Sequence, residues 1–400
     1  MQTFTPMQYL QIDIANNFGL DKEDWLDRIK WFEQNENQLE ALVEQADEPA
    51  LYHAGVMAYR KAEQGLPIGY PVAFDATASG MQILACLTGD RKAAELCNVV
   101  NAGRRMDSYT SIYHKMLDVL GEGAKIKRND VKQAVMTAFY GSEAIPRQVF
   151  GEGSMLLRIF EQVMSEAAPG AWELNKFFLD IWNPDATAYH WVLPDNFHVH
   201  TKVMVKEVEV VHFLNKPYET FREVQGTKEK GRSLSANSVH SLDGMVVREI
   251  VRRCDYDQTR INEVLAVLRG QMIELPNEDH NVEMTLTLWK HYLDTGYLSA
   301  RILDHIDTTT LMLVDPNVIW DLIESLPSKP FKVLTVHDCF RVLPNYVTDL
   351  RKQYNNQLYL IAKSNILSSI LSQIMGKKVN IGKLDPSMIN EILKADYALS

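Results

Sequence analysis

Two carboxylates stand where apolar, β-branched runs end. Asp75 closes Pro71-Val72-Ala73-Phe74-Asp75, and Asp338 closes Val333-Leu334-Thr335-Val336-His337-Asp338. Each run reads as a buried strand that carries one acid to a sheet edge before turn residues take over. A fold that brings the two acids together can hold two divalent metal ions about 3.5–4 Å apart, the arrangement that serves phosphoryl transfer. Between them lies a basic segment, Lys127-Arg128-Asn129-Asp130-Val131-Lys132, which continues to Tyr140-Gly141. Arg128, Lys132, Met136 and Tyr140 recur every four residues. On a helix they run up one slowly drifting face, with the first and last about 18 Å apart at ~1.5 Å per residue. That span suits a nucleoside triphosphate. Arg128 and Lys132 would add to the positive helix end and hold phosphates, Arg bidentately and Lys as a compact charge. Tyr140 would then lie beside sugar and base, with Gly141 allowing close backbone approach. Alone, the basic run reads more readily as an ordinary solvated face. Flanked by two acids, it points to chemistry on a nucleotide.

The elements that must position these groups can be read from pattern. The 400 residues exceed the size at which one core keeps growing, so two or more lobes are expected, and 46% hydrophobic residues supply their interiors. Residues 21–46 carry Trp25, Ile29, Phe32, Leu39, Leu42 and Val43 at helical spacing, and a second helix over about 50–64 ends at Gly65-Leu66-Pro67 and feeds the Asp75 strand. Ser79-Gly80 opens an apolar helix. The stretch 191–224 reads as β. Val192-Leu193 precedes a Pro194-Asp195-Asn196 turn, a strand spans 203–213, a turn falls at Asn215-Lys216-Pro217, and a strand spans 218–224. Residues 227–235 read as a loop, helices predominate from Asn237 to about Leu326, and the tail is helical over 349–375 and 386–399.

Composition narrows the setting. No apolar run approaches the roughly 18 residues of a membrane span, and the start, Met1-Gln2-Thr3-Phe4-Thr5, has no charged-then-apolar leader, so a soluble, unsecreted chain with no membrane partner is expected. Cys86, Cys97, Cys254 and Cys339 lack CxxC spacing, which speaks against a zinc site or disulfide framework and for a reducing cytoplasm. The net charge of -11 opposes a polyanion partner only in bulk, because a nucleic-acid site needs a local basic groove. Local clusters exist at Arg104-Arg105, 125–132, 228–232, and Arg248 with Arg252-Arg253. Part of the basic surface is expected from another chain.

With their flanks, these segments resemble the single-subunit RNA polymerase family of phages and mitochondria. Phe74-Asp75-Ala76-Thr77-Ala78-Ser79-Gly80-Met81-Gln82 is similar to the family's first motif, Arg128-x3-Lys132-x4-Thr137-x2-Tyr140-Gly141-Ser142 to its second, and His337-Asp338-Cys339-Phe340 to its third. Ala76 stands where a Gly with a metal-touching carbonyl is usual, and Cys339 where Ser is common. Shorter likenesses extend over most of the chain: Ala15 to Asp21 and Arg28 to Phe32 near the start, His190 to Asp195, Asn237 to Gly244, and Glu391 to Tyr397.

The resemblance implies an α+β right-hand polymerase of palm and fingers, mostly helical with a small antiparallel palm sheet. Its expected parts are a palm over 1–98, fingers over 99–236 with a hairpin near 202–224, and a second palm part over 237–400 with a helical insertion near 262–329 and a C-terminal foot. Asp75 and Asp338 would be the catalytic pair and hold two Mg2+ ions together with the Ala76 carbonyl. Arg128, Lys132 and Tyr140 would bind the ribonucleoside triphosphate, with Tyr140 choosing the sugar. Ser79, Gln82, Tyr109, Gly141, His240 and His337 would support the site or touch the template. Tyr109 also reads as a core aromatic, and His240 as a packed or capping residue.

The partners implied are a DNA template, RNA product and ribonucleoside triphosphates, and the site of action the cytoplasm of an infected bacterial cell. The family's thumb and upstream-DNA elements are not recognised before Asp75, which resembles the split, two-chain branch of N-four-type coliphages. A heterodimer with a smaller, more basic subunit, and a single-stranded-DNA-binding or loading factor, are therefore expected. The alternatives are a DNA polymerase of the same superfamily and a non-catalytic scaffold subunit. Two further features stay open. His198 and His200 would share one side of a strand near His190 and His212, without the cysteines or acids that would support zinc. The hairpin falls where the family reads bases, yet Glu207, Glu209 and Glu223 suit a major groove poorly.

Overall fold

The structure, a computed structural model, describes residues 1–121, 125–183, 185–202, 204–225, 232–271 and 279–400. Among the described residues it is mostly helical, with three small antiparallel sheets. The first sheet positions the two acids. Strand β1 (Val72–Asp75) lies beside a later hairpin, and the strands introduced between them in sequence, β2 (Ala188–Val192) with β3 (His198–Lys202) and β4 (Met204–Phe213) with β5 (Lys216–Gln225), form two separate ribbons. The hairpin is β6 (Leu334–Val336) and β7 (Cys339–Val342), and β7 is the central strand. Its register pairs Phe74 with Phe340 and Asp75 with Cys339.

Alternation explains which way the acids point. Val72, Phe74, Phe340 and Val342 are buried, so Ala73, Asp75, Cys339 and Arg341 occupy the other face. The buried face meets an aromatic cluster: Phe74 packs edge-on to Tyr9 with ring centroids 5.8 Å apart, and Phe340 to Tyr354 at 5.8 Å. The edge of β1 is covered by the last residues of the chain. The Ser400 N–H donates to the Asp75 carbonyl at 2.9 Å, and the Thr77 N–H to the Ala398 carbonyl at 3.3 Å.

The helix Ser79–Thr88 is buried along its whole length, as an apolar helix must be when it is surrounded. It packs against the helices Pro169–Asp180, Arg232–Cys254 and Val347–Lys363. The helix Arg128–Ala138 rests Val131, Ala134, Val135 and Ala138 on the core and turns Lys132 and Met136 outward. One continuous core runs through most of the chain. A second, smaller core joins Ile261, Val264, Leu288, Ile302, Ile319 and Leu322. Buried Glu249 links the two, accepting hydrogen bonds from the Ser299 hydroxyl and, at 2.9 Å, from the Ala300 N–H.

Several expected boundaries shift for reasons of packing. The helix expected over 21–46 is α only at Trp25–Asn35 and tightens to 3-10 over Glu36–Gln45. There the Glu36 carbonyl accepts from Arg60 and the Leu39 carbonyl from the Tyr52 hydroxyl, so neighbouring side chains take over backbone acceptors. Strand β3 is a separate element that the pattern does not resolve. The hairpin turn is Leu214-Asn215, both at positive φ, which suits a two-residue connection and starts β5 at Lys216, earlier than the pattern places it. The expected loop at 227–235 is helical from Arg232; 226–231, with most of the basic cluster 228–232, lie outside the described residues, as do Val203 and 272–278 of the expected insertion. The 349–375 helix is two, Val347–Lys363 and Ile366–Met375, parted where the Asn365 N–H donates to the Thr295 carbonyl. Over 386–399 only short turns form, because the terminal backbone pairs with β1 instead.

Candidate active site

The β6–β7 turn and the end of β1 put Asp75 and Asp338 next to each other. The Ala76 N–H donates to the Asp338 carbonyl at 3.2 Å, while Asp75 sits opposite Cys339 in the ladder. The turn residue His337 holds φ 56, a left-handed conformation that costs a bulky residue of order 1 kcal/mol or more. That strain presents Asp338 at the sheet end, and His337 itself is exposed. Asp75 is open to solvent at the floor of a cleft. Burial by the cleft walls raises its carboxyl above the usual range, a hydrogen bond with Cys339 opposes the shift, and the neighbouring Asp338 charge adds to it.

This donor set fits Mg2+. Mg2+ takes one or two protein carboxylates and leaves its other positions to water and substrate phosphate. Asp75 and Asp338 are such a pair, and no group of three or more His, Cys, Asp or Glu able to hold a metal occurs among the described residues. His190, His198 and His200 do gather on the β2–β3 ribbon, with His190 4.4 Å from His200 and 5.4 Å from His198 between ring centroids, but their rings stack rather than converge on a point. His212 lies on the other ribbon, in β4.

A cleft of about 610 Å³ opens over Asp75 and is lined by Tyr109, Arg128, Lys132, Met136 and Arg341, among others. Lys132 is exposed and carries its ammonium 5.8 Å from the centroid of the Tyr109 ring. Tyr109 is thus a wall of the cleft. Arg128 is held more tightly than its helical position implies. Its guanidinium pairs with the Asp107 carboxylate and donates to the Thr110 hydroxyl at 2.6 Å. Although burial works against it, Asp107 stays below the usual carboxylate range through its bonds from Thr110 and Arg128. Arg128 therefore reaches the cleft with part of its fork already occupied.

The single basic face expected for Arg128, Lys132, Met136 and Tyr140 holds for the first three. Tyr140 lies beyond the helix end, its N–H bonded to the Thr137 carbonyl, and Gly141 at φ 78 turns the chain. Its ring stacks on His240 with centroids 4.5 Å apart, and its hydroxyl nests against Gly80, where a Cβ would come within 2.7 Å. Burial raises the Tyr140 phenol, bonds with Ser79 and the Gly80 N–H oppose this, and the nearby Asp243 and Asp338 charges add to it. His240 is lowered by burial.

Ser79 donates to the Asp243 carboxylate at 3.0 Å. Gln82 is wholly buried, so it supports the site from beneath and does not reach a template. Pattern reading passed over Asp243, Asp107 and Arg341. The signal for Asp243 was its place one helical turn after His240, on the same face. Asp243, His240, Tyr140, His337 and Asp338 line a second cavity of about 470 Å³ beside the cleft.

The family model described as DNA-dependent RNA polymerase matches residues 4–150. That stretch holds Asp75, Arg128, Lys132 and Tyr140 but not Asp338. Three relatives are each described as a probable DNA-directed RNA polymerase. The one from Neurospora crassa is 27% identical over 157 residues, covering 34% of this chain and 18% of its own length. The one from Gelasinospora sp. (strain G114) is 22% identical over 387 residues, covering 90% of this chain and 43% of its own. The one from Agaricus bitorquis is 22% identical over 385 residues, covering 77% and 34%. The chain spans less than half the length of each of these relatives.

Proposed function

We propose that this chain carries the catalytic centre of a DNA-directed RNA polymerase that adds ribonucleotides along a DNA template. One observation carries the reading: Asp75 and Asp338, remote in sequence, meet at one end of a sheet beside a cleft lined by Arg128 and Lys132. The sheet and its supporting helices would be the palm, 1–98 with 237–400, and the segment 99–236 the fingers. Two Mg2+ ions held by Asp75, Asp338 and the Ala76 carbonyl would supply the charge that activates a 3′ hydroxyl and offsets the leaving pyrophosphate. Lys132 and the free edge of the Arg128 guanidinium bind the triphosphate oxygens. Tyr109 closes the cleft wall under Lys132, and His240 fixes the Tyr140 ring at the sugar. The direct test is extension of an RNA primer on a DNA template with ribonucleoside triphosphates and Mg2+; a purified, folded protein that adds no nucleotide in that assay, alone or with a copurifying chain, refutes the reading.

Sugar choice falls to Tyr140, which lines the cavity beside Asp338 with its hydroxyl against Gly80. Tyr140→Phe removes one hydrogen-bonding group, so ribonucleotides should lose about three- to tenfold of their advantage over deoxynucleotides. Competition between the two in single-nucleotide extension measures the ratio. An unchanged ratio would mean that another group reads the sugar.

A second, more basic chain is part of the proposal, with the cytoplasm of an infected bacterial cell as its setting. Its support is the β4–β5 ribbon, which exposes Val208, Val210, Phe213, Leu214 and Phe221 while carrying Glu207, Glu209, Glu219 and Glu223. Val208 and Phe221 face each other across one side of the ribbon. With Lys206, Lys216 and Arg222 against those four acids, and Arg222 paired with Glu207 at 3.1 Å, the ribbon is close to neutral, so its exposed apolar side is what suits another protein. Val208→Asp with Phe221→Asp should abolish a one-to-one complex in size-exclusion chromatography of the coexpressed chains. A complex that survives the double change places the second chain elsewhere.

A further inference from the structure

The Arg104-Arg105 pair belongs neither to the carboxylate site nor to the basic helix, yet Arg105 lines the cleft over Asp75 together with Arg128 and Lys132. Its backbone is pinned on both sides. The Arg105 N–H donates to the Asp24 carboxylate at 2.7 Å, while the Asn98 side chain accepts from the Met106 N–H at 2.8 Å and donates to the Met106 carbonyl at 2.9 Å. Among the described residues the half-buried Arg105 guanidinium makes one hydrogen bond, from Nε to the Ser400 hydroxyl at 3.2 Å, and no ion pair. The acids near it are engaged elsewhere: Asp24 with that backbone N–H, Asp107 with Arg128, and Asp21 with Lys22 at 3.8 Å. The same Ser400 hydroxyl accepts at 2.9 Å from Arg28, which is wholly buried. Arg28 has no carboxylate partner among the described residues either. Its other bonds go to the Glu23 and Asp21 carbonyls, each at 2.9 Å, and to the Asn16 side-chain oxygen at 2.8 Å. Two cations thus meet at one neutral hydroxyl.

A buried cation is ordinarily matched by an anion, and where the protein supplies none its field reaches into the adjoining cleft. Position says which anion fits. Ser400, which holds Arg105, also donates its N–H to the Asp75 carbonyl at 2.9 Å, so Arg105 is tied to the end of β1, where the acid stands, while Arg128 and Lys132 belong to the helix. Arg128 already gives part of its fork to Asp107 and Thr110. We infer that Arg105 is a third cation of the triphosphate site and binds the terminal phosphates, those that leave as pyrophosphate, with Arg28 behind it as a fixed source of positive field. The inference rests on the polymerase reading and deepens it. The Nη edge of Arg105 presents parallel N–H donors that match phosphate oxygens. Because the flanking backbone is pinned, little freedom is lost when the phosphate arrives. Arg104 supplies the contrast. It carries the same charge one residue away, but it is exposed and is not among the residues that line the cleft.

Calorimetric titration of the protein with inorganic tripolyphosphate in the presence of Mg2+ tests the cation without requiring activity. Arg105→Gln, whose amide can still donate to Ser400, should weaken binding about tenfold or more, as expected when hydrogen bonds to a charged group are lost. Arg105→Lys, which keeps the charge, should recover most of that loss, and Arg104→Gln should stay within about twofold of wild type. In single-nucleotide extension, Arg105→Gln should raise the KM for a ribonucleoside triphosphate by a similar factor and leave the affinity for primer and template unchanged. A wild-type protein that binds no tripolyphosphate, an Arg105→Gln variant that binds it as tightly as wild type, or an equal loss in Arg104→Gln overturns the inference. A loss confined to primer and template binding also overturns it, and gives Arg105 to the template backbone instead. Should the wild-type protein add no nucleotide at all, the polymerase reading fails, and the titration still decides whether Arg105 grips a polyphosphate.

Discussion

Asp75→Asn and Asp338→Asn are each expected to abolish templated nucleotide addition and leave the fold intact. Each change keeps the side-chain volume and removes a charged oxygen ligand. The charge stabilisation lost is several kcal/mol, so the rate of addition should fall about a thousandfold or more. The fold has little to lose at Asp75. The backbone bonds of Asp75 to Ser400 do not involve its side chain, and Phe74 and Phe340 keep the sheet on its core. The sign of the Asp75 shift strengthens the point. A carboxyl raised in the folded state is charged at a cost relative to the unfolded chain, so at neutral pH an uncharged amide in its place relieves that cost. Thermal unfolding of Asp75→Asn should therefore begin no lower than that of wild type. Single-turnover extension with saturating nucleotide separates the chemical step from binding. Extension by either variant within tenfold of wild type would remove the carboxylate pair from the mechanism.

Gln82→Ala should produce the largest loss of stability available from a single polar side chain near the site. The Gln82 amide donates to the Ala398 carbonyl at 2.8 Å, the Cys97 carbonyl at 3.0 Å and the Thr77 hydroxyl at 3.1 Å. Its oxygen accepts from the Tyr354 hydroxyl at 2.6 Å. Gln82 and Tyr354 are both buried, so truncation strands several polar groups in the core at about 1–3 kcal/mol each. A total of roughly 3–6 kcal/mol is a large share of the 5–15 kcal/mol that holds a domain together. The urea midpoint should fall accordingly, and the segment Ala398 to Ser400 should gain hydrogen exchange first, because Gln82 anchors it to the start of the buried helix. A midpoint within about 1 kcal/mol of wild type would show that neighbouring groups or water replace the amide.

The contrast between Gln82 and Asp75 marks the limit of reading by pattern. Sequence alone placed Asp75 and Asp338 at the exits of apolar, β-branched runs, a local property, but only the run before Asp75 is a buried strand: Leu334 and Val336 of β6 are exposed, and the buried side chains Phe340 and Val342 follow Asp338 in β7. It also placed a helix at Arg128 with Lys132 on its outward face, and a long exposed hairpin near 202–224. These features depend on neighbours a few residues away. Other features depend on which distant groups arrive alongside, and tertiary structure decided them. Arg128 looks like a free phosphate ligand until Asp107 and Thr110 come beside it. Tyr140 fits the helical spacing but leaves the helix, because Gly141 turns the chain and His240, far along the sequence, offers a ring to stack on. Gln82 sits at the same kind of motif position as Ser79, yet its amide is taken up by the Cys97 and Ala398 carbonyls and by the Thr77 and Tyr354 hydroxyls, which the fold gathers from distant parts of the chain. Asp243 carried only a helical spacing from His240, and its meaning came from Ser79, which a local pattern cannot bring to it. Hydrophobic periodicity is written residue by residue, whereas the pairing of a polar group is settled only when desolvation forces it to find a partner that the fold supplies.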